Sequence, residues 1–168
     1  HLDYARDMFL FSFYTRGMSF IDMAYLKKSD LKNGTITYRR RKTGQQLTVK
    51  WEKCMEDIIA KYGENTATRY LLPIITNPCS DERTQYRNAI CRINVALKEV
   101  AGLAGLNIPL TMHVARHCWA SVAKSKNIPL SVISEGMGHD SEETTRIYLA
   151  SLDTSVVDKA NSLILKDF

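Results

Sequence analysis

The sequence predicts an α+β domain that is mostly α-helical, with a small antiparallel β-hairpin or three-stranded sheet. Apolar residues recur at helical spacing along most of the chain, whereas residues 35–49 alternate Thr, Tyr and Val residues around a Lys-Thr-Gly turn. The chain has 168 residues, 45% of them hydrophobic, and no long apolar run. This composition suits one complete core, so we expect a single domain over residues 1–168 and no membrane span.

The first half of the chain predicts helices on either side of the hairpin. Residues 4–15 are rich in Met, Leu and Phe and indicate a buried helix, and a second helix follows at about 20–28. After the hairpin, residues 51–62 are predicted to form a helix that Gly63 closes, because glycine favours the position just past a helix end. Residues 65–78 are expected to form a loop.

The clearest helix is predicted at about 80–102. Ser80, followed by two acidic residues, marks its start, and Gly102 marks its end. Its apolar residues fall at helical spacing and are expected in the core: Tyr86, Ile90, Ile93, Leu97 and Val100.

Shorter helices are predicted beyond residue 110. Thr111 begins one of them, and a second, after the break at 127–129, ends at Gly136. Gly138 is expected to turn the backbone, and Ser141 to cap the segment that carries Tyr148. A final helix is predicted at 153–168.

Two stretches near the C-terminus contain residues suited to phosphodiester chemistry. The sequence H-V-A-R-H covers residues 113–117, and G-M-G-H-D-S-E-E-T-T-R-I-Y-L covers residues 136–149. Arg116 can bind two phosphate oxygens with its planar fork, and His113 and His139 can donate to the same group or transfer protons. Tyr148 is then the nucleophile, because a phenol activated by a nearby base or cation can attack phosphorus. We expect no metal or cofactor.

These four residues occur in the order His-x-x-Arg, Gly-His and Tyr, and in this the chain resembles the catalytic domain of the tyrosine recombinases, the phage integrase family. The resemblance implies the tyrosine recombinase catalytic-domain fold. It also implies a catalytic role for His113, Arg116, His139 and Tyr148. The implied activity is site-specific recombination or integration of DNA through a 3′-phosphotyrosine intermediate.

The predicted hairpin adds a basic segment to these residues. Members of the family place a catalytic lysine on such a hairpin, and Lys42 of the Lys-Thr-Gly turn matches it, with general acid as its implied role. Arg39, Arg40 and Arg41 precede Lys42 and are expected to contact DNA phosphates, although such a run can also be a solvated face.

The sequence departs from the family pattern at its first catalytic arginine. When Gly17 and Asp22 are aligned with the family motif, Ser19 occupies the place of that arginine. A serine hydroxyl offers one hydrogen bond where an arginine offers a charged fork. We expect Arg16, beside Gly17, to supply the missing charge, with Arg6 as the second candidate.

The four cysteines lack the paired spacing of zinc or redox motifs: Cys54, Cys79, Cys91 and Cys118. They indicate reduced thiols in a cytosolic protein. His113, His117 and Cys118 could form half of a metal site, but no further ligand cluster supports that interpretation.

The resemblance also implies partners. The expected partner is double-stranded DNA, bound by a homo-tetramer of the full-length protein, with a monomer for the isolated domain and no membrane partner. We expect an N-terminal core-binding domain to lie outside this chain, and the protein to act on DNA in the cytoplasm, encoded by a bacterium or phage. Two alternatives remain open: type IB topoisomerase-like relaxation of DNA, and a catalytically impaired DNA-binding relative that results from Ser19.

Overall fold

The computed structural model describes residues 1–63, 67–150 and 165. In this part of the chain, helices surround a small sheet. The elements in chain order are α1 (Leu2–Tyr14), α2 (Phe20–Ala24), β1 (Leu31–Lys32), β2 (Thr35–Arg39), β3 (Gln46–Lys50), α3 (Lys53–Tyr62), α4 (Glu82–Leu103), α5 (Met112–Ser125), α6 (Leu130–Met137) and α7 (Glu142–Ala150). A short 3₁₀ turn, Lys28–Asp30, joins α2 to the sheet.

The sheet is antiparallel and has the order β1-β2-β3. Ile36 pairs with Val49, and both side chains are buried, so one face of the sheet packs on the core. On the other face, the hydroxyls of Thr37 and Thr48 lie 3.1 Å apart. This period-2 alternation is the pattern that the sequence predicts. The predicted hairpin is therefore confirmed, and β1 extends it to three strands.

The core has two parts. The larger part lies beneath α1, which packs against α3, α4 and α5, and it contains the fully buried side chains of Met8 and Phe11. A smaller cluster joins α5, α6 and α7 through these buried residues: Ala120, Ala123, Ile133, Met137 and Leu149. The smaller cluster matters for function because it holds together the three helices that carry the C-terminal motifs.

Helix α2 is shorter than the sequence predicts. The prediction places its end near residue 28, but the helix ends at Ala24. The chain leaves the helix there because its backbone pairs with the loop before α4: the Leu71 N–H donates to the Leu26 carbonyl at 2.8 Å, and the Lys28 N–H donates to the Arg69 carbonyl at 3.0 Å. These long-range bonds override a weak helical pattern.

The start of α4 also differs from the prediction. Asp81, and not Ser80, occupies the N-cap, where its carboxylate accepts the Thr84 N–H at 2.7 Å. The predicted loop before it is confirmed over its described part, residues 67–78. The predicted final helix, 153–168, lies outside the described residues apart from Leu165. Among the residues described, no helix is both long enough and apolar enough to cross a membrane.

Gly17 brings the end of α1 against α5. Its φ is +71°, and a Cβ at this position would lie 2.8 Å from the Arg116 Cα atom. A side chain here would therefore be strained by the backbone conformation and would also clash with the backbone of α5. The approach places the Gly17 carbonyl within reach of the Arg116 side chain.

We expect Gly17→Ala to destabilise the protein more than Gly34→Ala does. Gly34 has a similar φ of +73° but nothing within 4 Å of an added Cβ. Gly34→Ala should cost about 1–2 kcal/mol from backbone strain alone. Gly17→Ala should cost about 1–3 kcal/mol more, because α5 must move. The free energy of unfolding in urea measures both, and equal losses would show that the close approach is absent.

Candidate active site

Arg116 lies in the first half of α5, and its guanidinium is held by two other elements. Its side chain donates to the Gly17 carbonyl at 2.8 Å and to the Met137 carbonyl, at the end of α6, at 2.6 Å. The residue is only 6% exposed. Burial, and next the charge of Arg40, lower the pKa of Arg116 to about 10. The guanidinium therefore remains charged at neutral pH in a place with little water.

Helix α6 ends in a way that leaves carbonyl groups for arginines. Gly138, in the left-handed conformation at φ +64°, donates its N–H to the Glu135 carbonyl, and the His139 N–H donates to the Ser134 carbonyl. This is the Schellman arrangement. It satisfies two of the last carbonyls of the helix. The carbonyls of Met137 and Gly138 remain available to the arginines of the site, and the negative end of the helix dipole favours cations there.

Arg40 is the second buried guanidinium. It follows β2, is 7% exposed, and donates to the Gly138 carbonyl at 2.8 Å. Its Nε is buried and, among the described residues, lacks a hydrogen-bond partner. The sequence places Arg39, Arg40 and Arg41 in one DNA-contacting run, but the structure separates them. Arg39 and Arg41 are exposed, because alternate residues of an extended segment point in opposite directions.

The two exposed arginines, Arg39 and Arg41, also contact other residues of the protein. Arg39 donates to the Gly44 carbonyl at 3.0 Å and braces the turn that carries Lys42. The guanidinium of Arg41 stacks over the Tyr25 ring, 3.7 Å from its centroid. Both are placed at the surface, where a phosphate could reach them.

His139 follows Gly138 and is half-buried. Its Nδ1 lies 2.7 Å from the hydroxyl oxygen of Thr145, a fully buried residue of α7. Burial is the largest influence on this imidazole, followed by the charges of Arg116 and Arg40, and together they lower its pKa to about 4. His139 is therefore neutral at physiological pH.

Tyr148 lies on α7 and contacts two histidines. Its ring stacks on that of His117, with centroids 4.7 Å apart and planes 8° apart, and lies edge-on to His139 at 5.7 Å. Burial raises the pKa of Tyr148 to about 12, while the positive charges of Arg116 and Arg40 oppose that rise. The phenol is thus protonated in the absence of substrate, and it lies within the electrostatic influence of both guanidiniums.

His113 and Lys42 complete one side of the site. His113 is exposed in the first turn of α5, with its ring 4.5 Å from that of His117. Partial desolvation of its imidazole, and then the charges of Arg116 and Lys42, lower the pKa of His113. Lys42 also lowers the pKa of His139, so the exposed turn of the hairpin holds its ammonium near both imidazoles.

Ser19 and Arg6, the second candidate for the missing arginine, both bind carboxylates. Ser19 donates its hydroxyl to the Asp22 carboxylate at 2.6 Å, and the other oxygen of that carboxylate accepts the Arg41 N–H at 2.9 Å. Asp22 thus ties α2 to the hairpin. Arg6 is bonded to Asp7 at the other end of α1, away from the arginine pair.

The backbone conformation of Arg16 follows from the way in which α1 ends. It adopts φ +63° at the end of α1, with its N–H donating to the Phe13 carbonyl, while the Gly17 N–H donates to the Ser12 carbonyl. These bonds form the same helix-ending motif as in α6, with arginine in the place that glycine usually takes. The side chain of Arg16 lies beside Gly136. Its charge influences Tyr38, as do those of Arg116 and Arg40, and Arg40 also influences His139 and Tyr148.

The structure therefore brings together Arg116, His113, His139, Tyr148 and Lys42, as the sequence predicts. Sequence reasoning missed Arg40 as a buried member of the cluster and Thr145 as the partner of His139. The alternation of the hairpin could have indicated Arg40, because Ile36 and Tyr38 share its inward direction. No sequence signal indicated the tie between Thr145 and His139.

The arrangement can bind an anion. In the described part of the chain, neither Arg40 nor Arg116 forms an ion pair with a carboxylate, although both are buried. Two neighbouring buried cations that have no ion pair with a carboxylate of the described residues favour an anionic ligand that supplies negative charge. The same part of the chain contains no group of three or more side chains that could hold a metal ion, and all four cysteines are free.

We expect Lys42→Met to raise the pKa values of both His113 and His139, because the substitution removes a positive charge that opposes their protonation. In the wild type, His139 should titrate at about 4. Histidine resonances followed by NMR across pH 3–8 measure both midpoints. Lys32→Met, an exposed substitution on β1, is the control and should change neither; unchanged midpoints in Lys42→Met would show that the lysine lies elsewhere.

Three solved structures have a similar fold. The XerA recombinase is 19% identical with a TM-score of 0.61, over 96% of this chain and 63% of that chain. A λ integrase fragment bound to a COC′ core site is 19% identical with a TM-score of 0.60, over 87% and 52%. The XerH recombinase in its post-cleavage complex with difH is 20% identical with a TM-score of 0.66, over 94% and 45%.

These likenesses show the fold, and they confirm the expected tyrosine recombinase catalytic-domain architecture. The chain spans about half of the length of these solved proteins. A comparison with curated proteins gives no match. The sequence profile described as the phage integrase family matches residues 3–155, nearly the whole chain. The chain therefore belongs to the phage integrase family.

Proposed function

We propose that this protein cleaves and rejoins DNA strands in site-specific recombination, with Tyr148 as the nucleophile. The observation that carries the proposal is the convergence of Tyr148 and His139 on two buried guanidiniums that lack a carboxylate partner among the described residues. A phosphodiester supplies the negative charge that such a pocket favours. Membership of the phage integrase family supports the same chemistry.

In the proposed step, the Tyr148 oxygen attacks phosphorus and the bond from phosphorus to the 5′-oxygen breaks. The guanidiniums of Arg116 and Arg40 stabilise the charge that grows on the non-bridging oxygens. The neutral imidazole of His113 can accept the phenolic proton, and Lys42 protonates the departing 5′-oxygen. The product is a 3′-phosphotyrosine and a free 5′-hydroxyl. Because the number of phosphoester bonds is conserved, the step can reverse on a second strand.

We propose that Arg40, and not Arg16, replaces the arginine that Ser19 lacks. The support is threefold: Arg40 is buried beside Arg116, its charge reaches both His139 and Tyr148, and its buried Nε has no partner in the described protein. A bound phosphate oxygen would satisfy that Nε. The catalytic charge is thus provided from the hairpin instead of from the segment before α2, so that Ser19 does not impair the site.

We further propose that the full-length protein acts on double-stranded DNA as a homo-tetramer. Exchange between two duplexes breaks four strands, and each chain offers one nucleophile. The similar structures of XerH and λ integrase are complexes with DNA sites, which supports DNA as the partner of this protein. The exposed side chains of Arg39, Arg41 and Lys42 supply cations for the phosphate backbone. The four free cysteines suit the reducing cytoplasm.

Tyr148→Phe should abolish formation of the covalent protein–DNA complex while leaving DNA binding intact, because only the attacking oxygen is removed. The assay uses the full-length protein and a nicked suicide duplex that carries the attachment site of its element, followed by denaturing electrophoresis. Tyr14→Phe, a tyrosine outside the site, is the control. A covalent complex that persists in Tyr148→Phe would refute the proposal.

Arg40→Ala should lower the cleavage rate by about a hundredfold or more, since it removes a charged donor from the transition state. Arg16→Ala and Arg6→Ala should retain cleavage, and so should Arg87→Ala, which matches Arg40→Ala in chemistry but changes an exposed side chain of α4. Single-turnover cleavage of the same suicide duplex measures all four rates. If Arg16→Ala abolishes cleavage and Arg40→Ala does not, the role belongs to Arg16.

A further inference from the structure

Thr145 has no place in the sequence motifs, but its environment is unusual for a threonine. It lies on α7, its relative exposure is 0%, and its hydroxyl oxygen lies 2.7 Å from Nδ1 of His139. In the described part of the chain, this is the one side-chain hydrogen bond of Thr145. The buried hydroxyl of Thr145 therefore depends on His139 Nδ1 for its hydrogen bond.

The pairing determines which nitrogen of His139 carries the proton. If Nδ1 were protonated, it would donate to the hydroxyl oxygen and leave the buried hydroxyl proton without an acceptor. If Nδ1 is unprotonated, the hydroxyl donates to it, and both groups are satisfied. An unpaired buried donor is costly enough to shift the tautomer ratio by about tenfold or more. The neutral imidazole then carries its proton on Nε2.

We propose that Thr145 is a positioning residue that holds His139 as the Nε2–H tautomer, so that His139 serves as a hydrogen-bond donor to a phosphate oxygen. With its Nδ1 lone pair occupied, this imidazole is excluded as the base for the phenol. The inference rests on the proposed function for the identity of the ligand, but the tautomer itself does not depend on catalysis.

The position of Thr145 connects the donor to the nucleophile. Thr145 and Tyr148 are three residues apart on α7 and therefore lie on neighbouring parts of one helix face. The same helix presents the phenol and fixes the imidazole that lies edge-on to it at 5.7 Å. Correct docking of α7 thus places both groups together, and its displacement would release both.

Thr145→Val tests the proposal, because valine keeps the shape and removes the hydroxyl. Thr145→Ser restores the hydroxyl, and Thr144→Val is the matched control, since the neighbouring Thr144 is exposed and bonded to Ser141. Nitrogen-15 NMR of the imidazole ring reports the protonation of each nitrogen of His139 near pH 7. Inorganic phosphate, titrated into each variant, reports anion binding through the same resonances.

The expected result is an unprotonated Nδ1 in the wild type, in Thr145→Ser and in Thr144→Val, and a mixture of tautomers in Thr145→Val. Phosphate should bind Thr145→Val about fivefold or more weakly than the other three proteins. A protonated Nδ1 in the wild type, or a Thr145→Val variant with unchanged tautomer and phosphate affinity, would overturn the proposal. Neither readout requires DNA cleavage, so failure of the proposed function would appear separately, in the Tyr148→Phe assay.

Discussion

The site depends on the way in which backbone carbonyls hold two buried guanidiniums. Helix α6 ends in a Schellman motif at Gly138, and the carbonyls of Met137 and Gly138 bind Arg116 and Arg40. Arg116 also binds the Gly17 carbonyl at the end of α1. Four elements, α1, the hairpin, α5 and α6, are thereby joined through uncharged acceptors. Carbonyl oxygens fix the arginines in place without neutralising them, which a carboxylate would do.

This choice of acceptors has an energetic consequence. Burial, and next the charge of Arg40, disfavour the charged form of Arg116 and lower its pKa. A bound phosphate would offset both effects, because it places a negative charge beside the two guanidiniums. The same field opposes protonation of His139 and favours loss of the Tyr148 proton. One electrostatic arrangement therefore acts on the two guanidiniums, on His139 and on Tyr148.

In the proposed site, Arg40 keeps the charge of the missing first arginine while the sequence motif changes. Ser19 bonds to Asp22 and supports the hairpin, and Asp22 in turn holds the backbone of Arg41. Arg40 thus enters the pocket from a strand end whose direction Asp22 helps to fix. Arg16, the sequence-based candidate, adopts its backbone conformation because α1 ends there.

The sequence by itself determined the hairpin, most helices of the described residues and the order of His113, Arg116, His139 and Tyr148, because periodicity, caps and motif spacing are local properties. It also indicated Lys42, through the turn chemistry of the hairpin. Only the tertiary structure decided that Arg40 is buried while Arg39 and Arg41 are not, that α2 stops early, and that Thr145 holds His139. The alternation of the hairpin is compatible with a buried Arg40 but does not fix it, because burial also needs the end of α6 beside the strand. The end of α2 depends on backbone bonds to the loop before α4, and the bond of Thr145 depends on the way α7 packs against α6.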